Sequence, residues 1–257
     1  MRRLRIGDRV LRVRDEGDSK KLPVVLVHGA GASSVVWMDV VRRLHSRRRV
    51  IAPDLPGHGQ SDRWHPAAET SIEMYRDAIG TICAHLKVDK VILAGHSMGG
   101  QVALACAAAW PERVGGLVMV ASGAQIHVAP RVYEVIDKDF SHFGEWLQKV
   151  SWSPATPREI VERWAGVMCT ADQEITRADF AAVGRFDGLQ AARQVRAPSL
   201  VLGGGDDLLT PPAVSRALAE ALPGAQLTLV PNAGHMLMLE QADTFAKQLD
   251  GFLATLP

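Results

Sequence analysis

The chain has 257 residues, 47% hydrophobic and 22% charged, and its 29 Lys and Arg against 28 Asp and Glu leave a formal net charge of +1. That length suits one large α/β domain with an ample core, and the near-neutral balance gives no bulk electrostatic reason to expect nucleic acid or an anionic membrane as partner. Cys83, Cys106 and Cys169 are widely spaced and form no Cys-x-x-Cys pair, which points to a reducing compartment and away from a disulfide framework or a zinc site.

Met1-Arg2-Arg3 is followed by Leu4-Arg5-Ile6-Gly7-Asp8 instead of a continuous apolar segment, so no signal peptide is expected. No apolar run is long enough to span a bilayer, and a cytoplasmic protein is expected. Leu4, Ile6, Val10, Leu11 and Val13, interleaved with Arg and Asp, read as an edge hairpin turning at Gly7-Asp8. Val24 to Val27 is a strand ending in the small-residue turn His28-Gly29-Ala30-Gly31. Ser33 to His45 reads as a helix with Ser33 or Ser34 as its cap. Arg49 to Ala52 is the next strand, delivering Asp54-Leu55-Pro56-Gly57-His58-Gly59. A helix over 70–86 carries an apolar stripe through Ile72, Tyr75, Ile79, Ile82 and Leu86.

Val91 to Ala94 is an unbroken apolar run of strand length, as in a strand covered on both faces. It runs through Gly95-His96-Ser97-Met98-Gly99 into an Ala-rich helix. A serine on such a turn is forced into a strained backbone, its flanking glycines leave room for close packing, and the next amide starts a helix. Val114 to Ala121 follows as a strand, and there the alternation stops. Residues 123–195 carry helical segments, such as Ser141 to Val150 and Pro157 to Met168, but no convincing buried strand. Leu200 to Leu202 resumes the sheet and ends in Gly203-Gly204-Gly205-Asp206-Asp207. A helix near Val214 to Leu222, a strand over 226–230 leading to Gly234-His235, and a helix from Ala242 to Leu253 complete the pattern. The whole implies a doubly wound, mostly parallel sheet.

Serine is a weak nucleophile that needs a base, an orienting acid and oxyanion donors. Ser97 has candidates for all three: the amides of the Gly29-Ala30 turn and of Met98, the carboxylates Asp206 and Asp207, and His235. Among nine histidines, His235 alone follows a late strand through a flexible Ala-Gly turn. His96 is expected to point away from the site, because successive side chains across the turn diverge.

Taken in order, His28-Gly29-Ala30-Gly31, Asp54 to Ser61, Gly95 to Gly100, Gly204 to Pro211 and Gly234-His235 resemble the motifs of the α/β-hydrolase family, in its branch with a helical cap. The resemblance covers nearly the whole chain and implies a core over 1–122 and 196–257 with a cap over 123–195. It selects Asp207, four residues before Pro211, as the acid beside His235 and leaves Asp206 as a loop residue. It makes Ala30 and Met98 the oxyanion donors and His58 a structural hydrogen-bonding residue. Trp146, Trp164 and Met168 are expected to line the pocket from the cap.

The activity implied is cleavage of a carboxylic ester or lactone of a small to medium apolar substrate through an acyl-enzyme at Ser97. Hydrolysis of C–C bonds in ring-fission products is the second reading, although such enzymes typically carry Asn and Trp where this chain has His96 and Met236. Perhydrolase or thioesterase activity, and a non-catalytic small-ligand receptor, stay open. No cofactor and no metal are expected, and the only partner implied is a small-molecule substrate.

Overall fold

Val24-Val25-Leu26-Val27 is apolar on both faces, and in the computed structural model, which describes residues 1–256, it lies inside an eight-stranded sheet. The strands are β1 (Arg2–Ile6), β2 (Arg9–Glu16), β3 (Val24–Val27), β4 (Val50–Pro53), β5 (Val91–His96), β6 (Val114–Val120), β7 (Ser199–Gly204) and β8 (Gln226–Val230). Their spatial order is β1-β2-β4-β3-β5-β6-β7-β8. The β1/β2 and β2/β4 pairs are antiparallel and every other pair is parallel. The edge hairpin turns at Gly7, whose φ of +61° suits glycine.

Strand alternation divides the core in two. Val24 and Leu26 face α1 (Met38–Leu44) and the C-terminal α11 (Ala242–Ala254), while Val25 and Val27 face α2 (Ile72–His85) and α3 (Met98–Ala109). The α2 stripe reads as expected: Ile72, Tyr75, Ile79 and Ile82 are buried, and Ser71 caps the helix by accepting from the Met74 amide. The segment after β3 departs from expectation. Ser34–Trp37 is a 3-10 turn before α1, and Ser33 makes no side-chain cap. The Ser34 amide is taken instead by Asp54 Oδ1 at 2.9 Å, a distant carboxylate that replaces the local cap.

Between β6 and β7 run α4 (Pro130–Lys138), α5 (Phe140–Ser151), α6 (Arg158–Trp164), α7 (Gln173–Arg185) and α8 (Leu189–Gln194), with no strand among them. Phe143, Leu147, Trp152 and Trp164 are continuous with the core of Val24 and Leu26. Ala182 and Val183 of α7 and Ala192 of α8 join the core of Val25 and Val27 instead, so the helical insert extends the cores of both sheet faces. After β7 come α9 (Pro212–Ala221), which begins early because Pro212 suits a first helical position, and the unforeseen four-residue α10 (Leu237–Glu240). No helix among the described residues is long and apolar enough to cross a membrane.

Candidate active site

The turn from β5 to α3 holds Ser97 at φ 54°, ψ −120°, a conformation costing a non-glycine residue on the order of 1–3 kcal/mol. Neighbours on β6 and beyond enforce it. The Ser97 amide donates to Val120 O at 2.9 Å, and Ser122 Oγ donates to Ser97 O at 2.7 Å. Glycine is required on both sides: a Cβ at Gly95 would lie 2.0 Å from Gly99 O, and one at Gly99 2.2 Å from Val27 O. Met98 is the first residue of α3, so its amide is one of the donors at a helix start that have no partner within the helix. Its side chain is buried in the core. Ala30 and Gly29, just past β3, border the same cavity as Ser97.

His28 anchors that loop. Its Nδ1–H donates to Gly29 O at 2.9 Å and its Nε2 accepts from the Leu55 amide at 3.0 Å. Burial, and after it the charge of His58, pushes the imidazole pKa down to about 4, which keeps it in the neutral form this pattern needs.

His235, past β8, also borders the cavity. Its Nδ1 donates to Asp207 Oδ2 at 2.9 Å, which leaves Nε2 of the neutral ring with its lone pair. Of the two adjacent carboxylates it is Asp207 that meets the ring. Asp207 is buried and also accepts from the amides of Leu209 (2.8 Å) and Thr210 (2.9 Å) and from Thr210 Oγ1 (2.7 Å). Burial alone would raise its pKa, but His235 and the Thr210 donors outweigh that and lower it. Asp206 points elsewhere and accepts from Ser153 Oγ at 2.5 Å.

His96 is a correction. Its ring does not leave the site: it borders the cavity, its centroid 4.7 Å from that of His235, and its Nε2 donates to His235 O at 2.9 Å. Burial, and after it the neighbouring His235, depresses its pKa to about 3, so it stays neutral and supports the loop. Side-chain divergence across the turn carries His96 beneath His235 and not away from it. His58 is hydrogen-bonded in the interior, as expected: Nε2 donates to Asp179 Oδ2 at 2.7 Å and Nδ1 to Pro56 O at 3.1 Å.

The cavity measures about 220 Å³. Trp146 and Met168 border it, as expected of them. Trp164 does not; it is buried in the core beneath the insert, with the Arg163 guanidinium 5.1 Å from its ring centroid. The sequence reading missed most of the wall, which comes from Ile126, Val128, Val132, Leu147, Val150, Phe180 and Val183, and from Leu208, Leu209 and Met236 of the core loops. Leu208 carried a signal: a large apolar residue in a polar turn, it is 68% exposed at the mouth. Among the described residues no Lys, Arg, Asp or Glu borders this cavity, and no cluster of three or more His, Cys, Asp or Glu could hold a metal ion.

Residues 24–248 match the model of the alpha/beta hydrolase family. The chain belongs to that family. This alpha/beta hydrolase is 32% identical to a 2-hydroxymuconate semialdehyde hydrolase of a Pseudomonas species, over 90% of this chain and 87% of that protein. It is 29% identical to a 2-hydroxy-6-oxo-2,4-heptadienoate hydrolase of Pseudomonas putida, over 90% and 89%. Among solved structures it resembles a thermophilic esterase from Thermogutta terrifontis, with a TM-score of 0.89 and 27% identity over 99% of both chains.

Proposed function

We propose that this hydrolase cleaves carboxylic esters or lactones of small, uncharged, apolar substrates through an acyl-enzyme on Ser97. The carrying observation is a cavity with Ser97 and His235 on its border, apolar walls and no ionised Lys, Arg, Asp or Glu side chain. His235 Nε2 takes the Ser97 proton as Oγ attacks the carbonyl; Asp207, on Nδ1, fixes the tautomer and stabilises the imidazolium. The Ala30 and Met98 amides receive the oxyanion, and water activated by the same histidine releases the acid. Residues 123–195 act as the cap, with Trp146 and Met168 facing substrate. The three cysteines are unpaired, which suits a reducing, cytoplasmic setting.

C–C hydrolysis is the second reading, favoured by the names of the two Pseudomonas relatives. A dienoate carries a carboxylate, and burying one without a cationic partner is strongly unfavourable. The cavity wall offers no Lys or Arg for that role, His127 being its one exposed imidazole, and this ranks C–C hydrolysis below ester cleavage.

The test is steady-state hydrolysis of nitrophenyl esters of increasing acyl length, with a ring-fission diketone in parallel and a fluorophosphonate label mapped by mass spectrometry. Ester turnover with the label on Ser97 is expected, and Ser97→Ala is expected to lower kcat by roughly a million-fold while melting normally. Faster turnover of the diketone than of any ester would replace the reading with the second one, and a folded Ser97→Ala with full activity would remove the serine mechanism.

A further inference from the structure

Besides Asp207, a second carboxylate engages the loop that carries His235, and among the described residues it forms no ion pair. Glu240, at the end of α10, is 5% exposed, and both of its oxygens are fully engaged. Oε1 accepts from the amides of Gly234 (2.9 Å) and Met236 (3.1 Å), the two residues flanking His235. Oε2 accepts from the Ser153 amide at 2.8 Å and from Thr156 Oγ1 at 2.5 Å, both on the stretch of the insert between α5 and α6. One side chain thus joins the loop of the candidate base to the helical insert.

The rest of that loop is held as tightly. The His235 amide donates to Ser151 O at 2.7 Å, and His235 O accepts from His96 Nε2 at 2.9 Å. A Cβ on Gly234 would lie 2.5 Å from Ser151 O, so the end of α5 rests directly on the loop backbone. The chemistry at position 240 is restrictive. Its partners are three amide N–H groups and one hydroxyl acting as donor, and only an acceptor-only group satisfies all four. A glutamine of the same shape would turn an NH2 toward one of the two sets and leave that set without an acceptor.

We propose that Glu240 is a positioning residue for His235, through which docking of the insert sets the direction of the imidazole toward Ser97. This rests on the proposed serine mechanism. It adds that the cap shapes the base as well as the pocket. A base moved by about 1 Å loses on the order of 100-fold in rate, so the effect should fall on kcat and on acylation, and little on substrate affinity.

The experiment compares Glu240→Gln, Glu240→Asp and, as a control for stability alone, Leu249→Ala, a core truncation in α11 away from the site. Each is assayed for ester kcat and KM, for the rate of fluorophosphonate labelling of Ser97, and for melting temperature. Glu240→Gln is expected to lose about 100-fold in kcat and labelling rate with KM within about threefold. Glu240→Asp, which keeps an acceptor-only group one methylene shorter, is expected to recover part of the loss. Leu249→Ala is expected to melt lower yet keep its kcat. Glu240→Gln folded with kcat and labelling within threefold of wild type would overturn the proposal. Should the Gln variant fail to fold, the Asp variant decides: a kcat below that of Leu249→Ala at matched melting temperature supports it, and an equal kcat overturns it. Absence of labelling in the wild type itself would instead bring down the serine mechanism, and this inference with it.

Discussion

Two buried histidine–carboxylate pairs lie in this fold, His235 with Asp207 at 2.9 Å and His58 with Asp179 at 2.7 Å. By distance and burial they are nearly equivalent, yet their surroundings assign them opposite tasks. His235 bonds Asp207 through one nitrogen and turns its ring to the cavity beside Ser97. His58 donates through both nitrogens, to Asp179 and to Pro56 O, so only the doubly protonated imidazolium satisfies the pattern. Asp179, on α7, also accepts from Tyr75 Oη at 2.6 Å and from the Gly31 amide at 2.9 Å. That pair locks the insert to the core, whereas the other keeps a nitrogen open for chemistry. The spare nitrogen and its access to a cavity distinguish the proposed general base from the structural histidine; the carboxylate partner does not.

Substitution at the two histidines should separate these tasks most sharply. His235→Gln is expected to lower kcat by roughly four to six orders of magnitude and to cost no more than about 1.5–3 kcal/mol of stability, the worth of one hydrogen bond to a charged group. His58→Gln is expected to cost about 3–5 kcal/mol of stability, as breaking a buried pair does, and to keep kcat within about threefold where it is folded, less than about 1 kcal/mol in barrier. Paired urea titrations and steady-state kinetics decide it. A stable His58→Gln with lost activity would erase the distinction.

Stability against pH sharpens the comparison further. At His58, burial pushes the pKa down, but the charge and hydrogen bond of Asp179 and the Pro56 carbonyl prevail and raise it above 6.5. Its stabilisation is complete below the unfolded value and is lost as pH rises through the folded value. His28 and His96 are the reverse case, held neutral with pKa values of about 4 and about 3. Below about pH 6.5 the unfolded chain binds protons there that the folded chain refuses, so stability falls on acidification by up to about 1.4 kcal/mol per pH unit for each. Asp207, whose pKa is lowered, adds to the acid loss at still lower pH. Unfolding free energy measured across pH should therefore pass through a maximum near the ordinary histidine pKa. His58→Gln should flatten its alkaline side, and an unchanged alkaline slope in that variant would contradict the assignment of the charge.

The same contrast separates what the sequence makes legible from what it does not. The Ser97 turn is readable because backbone packing forbids a Cβ at Gly95 and Gly99, and a requirement of that kind leaves glycine in the sequence. The parallel strands are readable because burial on both faces removes polar residues from them. The cavity wall is not, since Val132, Leu147 and Phe180 reach it by the way separate helices pack, and a helical period shows that a side chain is buried without showing what it faces. Trp164 fails for that reason. His96 fails because the sharp turn at Ser97 redirects it under His235. The carboxylates Asp54, Asp179 and Glu240 bond amides far from themselves in sequence or across the insert, contacts that no local pattern records.

The smallest effect is expected at Thr210, where the His235–Asp207 pair has an accessory donor. Thr210 Oγ1 donates to Asp207 Oδ2 at 2.7 Å, the same oxygen that accepts from His235 Nδ1, and lies 3.3 Å from that nitrogen. Thr210→Val keeps the shape and removes the hydroxyl, while the Leu209 and Thr210 amides still hold Oδ1. One neutral hydrogen bond is worth about 0.5–1.5 kcal/mol, so kcat should fall by about 2- to 10-fold. Its counterpart at the structural pair is Tyr75→Phe, which removes the hydroxyl donor to Asp179. That variant should lose stability by a similar amount with kcat unchanged, because no reacting group depends on that oxygen. Kinetics and urea midpoints of the two variants side by side test whether equivalent hydroxyl deletions act on rate at one pair and on stability at the other; a kcat loss in Tyr75→Phe as large as that in Thr210→Val would mean the two pairs share one task.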